Sequence, residues 1–201
     1  MLQTLGLISG VLSVITYLPY LRDIFKLKTK PERATWFIWS VLSGIAFFSQ
    51  MAKGATDSLW LVGVQTIGVV VIFLLSIRFG VGGFVRRDII ALIAAGIGLI
   101  LWFYTNEAAF ALLIAIAIDA TGGLLTVLKA YRDPESETLS TWVLSGTAGI
   151  FAAFAVGSLD YILLAFPVYV VLINYAVAVA MILGKRRLVS ALGVSVDKLL
   201  K

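Results

Sequence analysis

One ionisable side chain, Asp119, stands well inside an apolar run of this 201-residue chain. Holding an ionised carboxylate at that depth costs about 3 kcal/mol even on lenient insertion scales. The group must therefore face a cavity, find hydrogen-bond partners or stay protonated, and a carboxyl group that alternates between these states is equipped to carry protons. On a 3.6-residue period Asp119 shares a face with Ala115, Gly122, Gly123 and Thr126. Such small residues permit either close helix packing or an opening wide enough for a solute and water.

The other polar groups at similar depth suit hydrogen bonding rather than catalysis. Asn174 lies midway along the last apolar run, seven residues after Pro167, and its amide offers two donors and two acceptors. Gln65 has the same equipment in the third run, and Ser43 and Ser145 occupy matching places in the second and sixth. Ser13 stands 106 residues before Asp119 and is expected to be its counterpart. Trp39 sits deeper than Trp36 and Trp142, which lie near run ends where Trp is favoured as an interface anchor. Tyr17, Tyr20 and Pro19 gather at the end of the first run, where the proline should kink the helix or end its ladder. With Pro167, they are the candidate gate.

Composition narrows the chemistry further. Apolar residues make up 61% of the chain and charged ones 13%, with a mean hydropathy of +1.03, whereas a soluble domain carries roughly a quarter charged residues. The chain reads as an all-α integral membrane protein whose principal partner is the lipid bilayer. His and Cys are both absent, which removes the usual zinc, haem and His-based catalytic constellations. No cofactor and no metal are expected. The net charge of +5 falls in short clusters between apolar runs and reads as membrane topology, not nucleic-acid binding.

Seven runs must position these groups: residues 4–21, 35–52, 58–77, 89–104, 108–128, 141–156 and 161–183. A loop rich in Arg and Lys, including Lys28 and Lys30 with Glu32, follows the first, and a Gly-rich turn at 80–83 precedes the fourth. The stretch Val41-Leu42-Ser43-Gly44-Ile45-Ala46 returns 102 residues later as Val143-Leu144-Ser145-Gly146-Thr147-Ala148. Flanking pieces agree: Ile24-Phe25-Lys26 with Ala130-Tyr131-Arg132, and Asp57-Ser58-Leu59-Trp60 with Asp160-Tyr161. The pattern predicts two parallel three-helix repeats, residues 1–80 and 106–184, joined by an inverting fourth helix within 81–105. A basic tail, 185–201, with Leu188, Leu192, Val196 and Leu199 on one side, is expected to lie on the membrane surface or fray.

An N-terminus outside the membrane places fifteen of the sixteen bases inside and leaves only Lys53 out. The C-terminus is then cytoplasmic. Short loops suggest a prokaryotic plasma membrane. Two bundles meeting around midplane polar residues predict a transporter of a small polar solute, with Asn174, Asp119, Ser43, Ser145, Gln65 and Trp39 as its binding residues. Protons are a second expected cargo if Asp119 titrates, and a homo-oligomer is allowed for. The rivals are a non-transporting scaffold or receptor and a membrane enzyme. A retinal-type photoreceptor would need a Schiff-base Lys in the last run, and 161–183 contains none.

With Pro19, the repeated three-helix unit, the inverting fourth helix and Asn174, the chain resembles the SWEET and PQ-loop transporter superfamily over nearly its whole length. The family's Pro-Gln pair stands here as Pro19-Tyr20 and, in the second half, as Leu125-Thr126; Val71 or Ile72 stands opposite Asn174. The resemblance implies alternating access and a sugar or similar small solute. Asp119-Ala120-Thr121-Gly122-Gly123 looks like the acidic patch of proton-coupled exporters of the cystinosin type, which would make Asp119 the proton-coupling residue.

Overall fold

The computed structural model describes residues 1–27, 31 and 33–191, apart from the side chains at 87, 88, 125, 136, 190 and 191. Lys28, Lys30 and Glu32 of the first loop, the side chain of Leu125, and Leu192, Val196 and Leu199 of the tail therefore lie outside the described residues. Most of the described residues lie in seven α-helices, α1 (Leu2–Phe25), α2 (Arg33–Ala52), α3 (Leu59–Phe79), α4 (Arg86–Thr105), α5 (Ala108–Arg132), α6 (Leu139–Ala155) and α7 (Tyr161–Ala191), with a short 3-10 turn at Pro134–Ser136. In apolar surroundings a backbone must satisfy its own hydrogen bonds, and uninterrupted Leu, Ile, Val and Ala runs do so as helices. By length and composition α1, α2, α3, α5 and α7 are suited to crossing a membrane, whereas α4 and α6 hold shorter apolar stretches, Ile89–Thr105 and Leu139–Ala155. The 17 residues of α6 rise only about 26 Å at ~1.5 Å each, short of a hydrocarbon core of ~30 Å.

Two boundaries differ from expectation. Pro19 does not end α1, which continues to Phe25; a proline removes only one ladder donor, and the apolar sequence on both sides sustains the helix. The last helix runs past Gly184 through Lys185, Arg186 and Arg187 to Ala191, because no proline interrupts residues of good helix propensity.

Six helices close a ring. α1 packs against α3 and α6, α3 against α2, α2 against α5, α5 against α7, and α7 against α6. The fourth helix lies outside this ring, on α5 and α2. Basic side chains hold one end together: Arg33 donates to the carbonyls of Ser76 and Gly80 (3.1 and 2.9 Å), and Arg187 to that of Arg132 (3.3 Å). These are carbonyls at helix C-termini, where positive charge also meets the negative pole of the helix dipole.

The opposite end is sealed by packing. Ala46, Leu61, Val62, Leu112, Ala148, Ala152, Phe166 and Val170 form a buried cluster, with Leu12 of α1 against it, so all six ring helices meet there. Polar bonds tie the same end: Ser9 Oγ donates to the Ala148 carbonyl (2.8 Å) and, beyond the cluster, Lys53 Nζ pairs with Glu107 Oε1 (2.9 Å). Buried Gln50 donates through Nε2 to the Leu163 carbonyl (3.4 Å). That carbonyl is the one Pro167, four residues on and without an N–H, cannot bond. Sequence alone gave no hint of this role for Gln50.

Candidate functional site: a cavity inside the helix ring

A cavity of about 240 Å³ occupies the ring axis from the sealed cluster to the basic end. Each ring helix contributes side chains: Tyr17 and Tyr20 from α1, Trp39 and Ser43 from α2, Gln65 from α3, Asp119 from α5, Ser145 from α6 and Asn174 from α7. The helix outside the ring contributes none among the described residues. Among the described residues, no Lys or Arg lines it.

Asp119 is the cavity's one carboxylate among the described residues. Tyr169 donates its phenol to Asp119 Oδ2 at 2.6 Å, and Trp39 lines the same cavity. Tyr169 was not among the expected site residues. The signal was available, since Phe166, Tyr169, Val170, Ile173 and Asn174 follow the 3, 4, 7, 8 spacing of one helical face, and a deep acid needs donors. Asn174 is 9% exposed and uses one amide proton on the Val170 carbonyl (2.7 Å). Tyr17 donates weakly to the Gln65 carbonyl (3.4 Å).

Pro19 and Pro167 do not reach the cavity. Pro19 points outward, and Pro167 is buried against α6 with its carbonyl close to Gly149. Ser13 is buried, and its hydroxyl has no partner; Thr16 and Tyr17 take the cavity-facing places on α1. Ser13 and Thr16 lie one turn apart on the same face of α1, and Ser13 falls one turn nearer the apolar cluster that Leu12 packs against, outside the cavity lining. Trp36 and Trp142, read from sequence as interface anchors, line the cavity near its basic end. Trp142 donates to Glu137 Oε2 (3.3 Å), whose other oxygen takes Lys129 at 3.1 Å.

Compared with known proteins, the chain stands apart. No family model, curated protein or solved structure matches it. What the site can do must come from its own geometry. Asp119, Trp39, Leu42 and Thr126 also border a second hollow of about 290 Å³ between α2, α5 and Ala91 of α4, with Lys129 at its rim. The small strip beside Asp119 thus serves both purposes: Gly123 packs closely under Ile173, while Gly122 faces open space. Among the described residues neither hollow holds a second acid and no acid cluster could hold a metal ion, and the lone carboxylate is equipped to bind a partner or exchange a proton.

Proposed function

We propose that this chain is a membrane transporter that carries a small polar solute by alternating access between two three-helix bundles. The observation that carries the reading is the axial cavity: six helices line it, one end is sealed, and its polar groups come from every one of them. The helix contacts support a repeat. Exchanging α1, α2 and α3 with α5, α6 and α7 turns each ring contact into another ring contact, α1 with α6 becoming α5 with α2. Ser43 and Ser145, from the duplicated stretch, both border the cavity.

In this reading the bundles are residues 1–80 and 106–184, α4 is the inverting helix, and the resemblance to SWEET and PQ-loop transporters is one of descent. The basic end faces the cytoplasm of a prokaryotic cell, with the N-terminus outside. The solute rests among Asn174, Asp119, Ser43, Ser145, Gln65 and Trp39, and protonation of Asp119 accompanies the cycle. The test is solute uptake into proteoliposomes, with and without a pH gradient, for wild type and Asp119→Asn. Gradient-driven uptake that falls at least tenfold in the variant is the expected result. Uptake of no sugar, amino acid, nucleoside or amine by the wild type would overturn the reading and favour a scaffold.

A further inference from the structure

The solute-site reading becomes more specific when the cavity wall is considered as a chemical surface, and the following inference rests on that reading. Trp36, Trp39 and Trp142 border the space together with Tyr17, Tyr20 and Tyr169. The rings are mutually held: Trp36 and Trp39 meet edge to face at 5.0 Å, and Tyr20 lies 5.2 Å from Trp36. Aromatic faces carry negative charge density and attract cations, Trp most strongly. Among the described residues lining the same cavity, Asp119 is the one acid, and none is Lys or Arg. The volume of about 240 Å³ equals that of about eight waters at ~30 Å³ each. It suits one small molecule.

We propose that the cavity binds a small monovalent organic cation bearing a flat ring, with Asp119 as its counter-ion and the tryptophans as its walls. A sugar presents many hydroxyls and no charge, so it would leave the carboxylate uncompensated. An anion would meet both the carboxylate and the negative ring faces. A cation satisfies both features at once, and it replaces the proton as the charge that neutralises Asp119. Solute and proton then compete for the same oxygen atoms, which makes exchange of one for the other the natural cycle.

Competition gives a sign. As pH falls, protonation of Asp119 removes the counter-ion and weakens cation binding. The ionisable groups facing Asp119 are Tyr17 and Tyr20 of α1, Tyr169 of α7 and, across the second hollow, Lys129 of its own helix. The other helices packed around it present none among the described lining residues: Gln65 and Val69 from α3, Thr141, Trp142 and Ser145 from α6, Ala91 from α4, and only uncharged side chains from α2.

Three of the chain's five tryptophans border the cavity, so intrinsic fluorescence of the purified full chain reports binding. The probes are benzylamine, its neutral isostere benzyl alcohol, and glucose. Benzylamine is expected to bind at least tenfold more tightly than benzyl alcohol at pH 8, and to lose affinity at least tenfold between pH 8 and pH 5. In Asp119→Asn the two ring probes should agree within threefold and the pH effect should vanish; Trp39→Leu should weaken benzylamine at least fivefold. Benzyl alcohol or glucose binding as tightly as benzylamine overturns the proposal, as does a charge preference that survives in Asp119→Asn or no saturable benzylamine binding at all. The wild-type comparison and pH series decide the matter even if a variant fails to fold. Binding without any flux would sink transport and leave the cation site, whereas sugar flux without benzylamine binding would do the reverse.

Discussion

Tyr169 holds Asp119 through a 2.6 Å hydrogen bond that spans α7 and α5, and hydrogen bonds to a charged group contribute roughly 1.5–3 kcal/mol. Removing only that hydroxyl, in Tyr169→Phe, keeps the ring in place while freeing the carboxylate to turn. On the transport reading proposed above, the expected outcome is a loss of about tenfold in proton-coupled uptake, corresponding to ~1.4 kcal/mol, with a melting temperature close to that of wild type; uptake at the wild-type rate would remove Tyr169 from that proposal. Asp119 itself was legible in the sequence, because a charge inside an apolar run is costly wherever the helix points. Its surroundings were not. Tyr169, its hydrogen-bond partner, and Trp39, which lines the same cavity, lie on other helices, 50 residues after and 80 residues before Asp119, and nothing local to either announces the meeting.

The duplicated stretch shows what a helix adds to a residue pattern. Ser43-Gly44 and Ser145-Gly146 match in sequence, and both serines border the cavity. The glycines do not match in surroundings. A Cβ on Gly44 would meet nothing within 4 Å, whereas one on Gly146 would come within 2.9 Å of the Tyr175 ring, which also hydrogen-bonds Thr147 (3.0 Å). Gly44→Ala should therefore leave stability unchanged or raise it by up to about 1 kcal/mol through helix propensity. Gly146→Ala should lower it by about 1–3 kcal/mol, as overpacking does. Thermal unfolding in detergent compares them directly, and equal effects would mean that the ring beside Gly146 moves aside at no cost. Repeats diverge in this way because each copy answers to its own neighbour.

At the scale of the whole molecule, the sealed end and the basic end are held by different means. Beyond the apolar cluster, the partly exposed Lys53–Glu107 pair ties the end of α2 to the start of α5. The Lys53 ammonium, with the backbone N–H of Ala109, holds the Glu107 carboxyl below the usual glutamate range. A lowered carboxyl pKa adds stability that is present above the unfolded value and is lost as pH falls through the folded one. Wild type should therefore melt above Glu107→Gln at pH 7, with the difference shrinking as pH drops below about 4 and also in high salt. A difference that persists at pH 2 would assign it to packing instead. Composition by itself determined the secondary structure, helices apolar enough to suit a membrane, because a backbone in apolar surroundings has no hydrogen-bond partner but its own helix. The cost of burying charge marked Asp119. Only the tertiary structure decided that the helices close a ring with α4 outside it, that the prolines face away from the axis, and that Trp36 and Trp142 turn inward. Those outcomes depend on helical phase and on contacts between residues far apart in the chain, and a face that is apolar all round leaves its phase to be set by whatever packs against it.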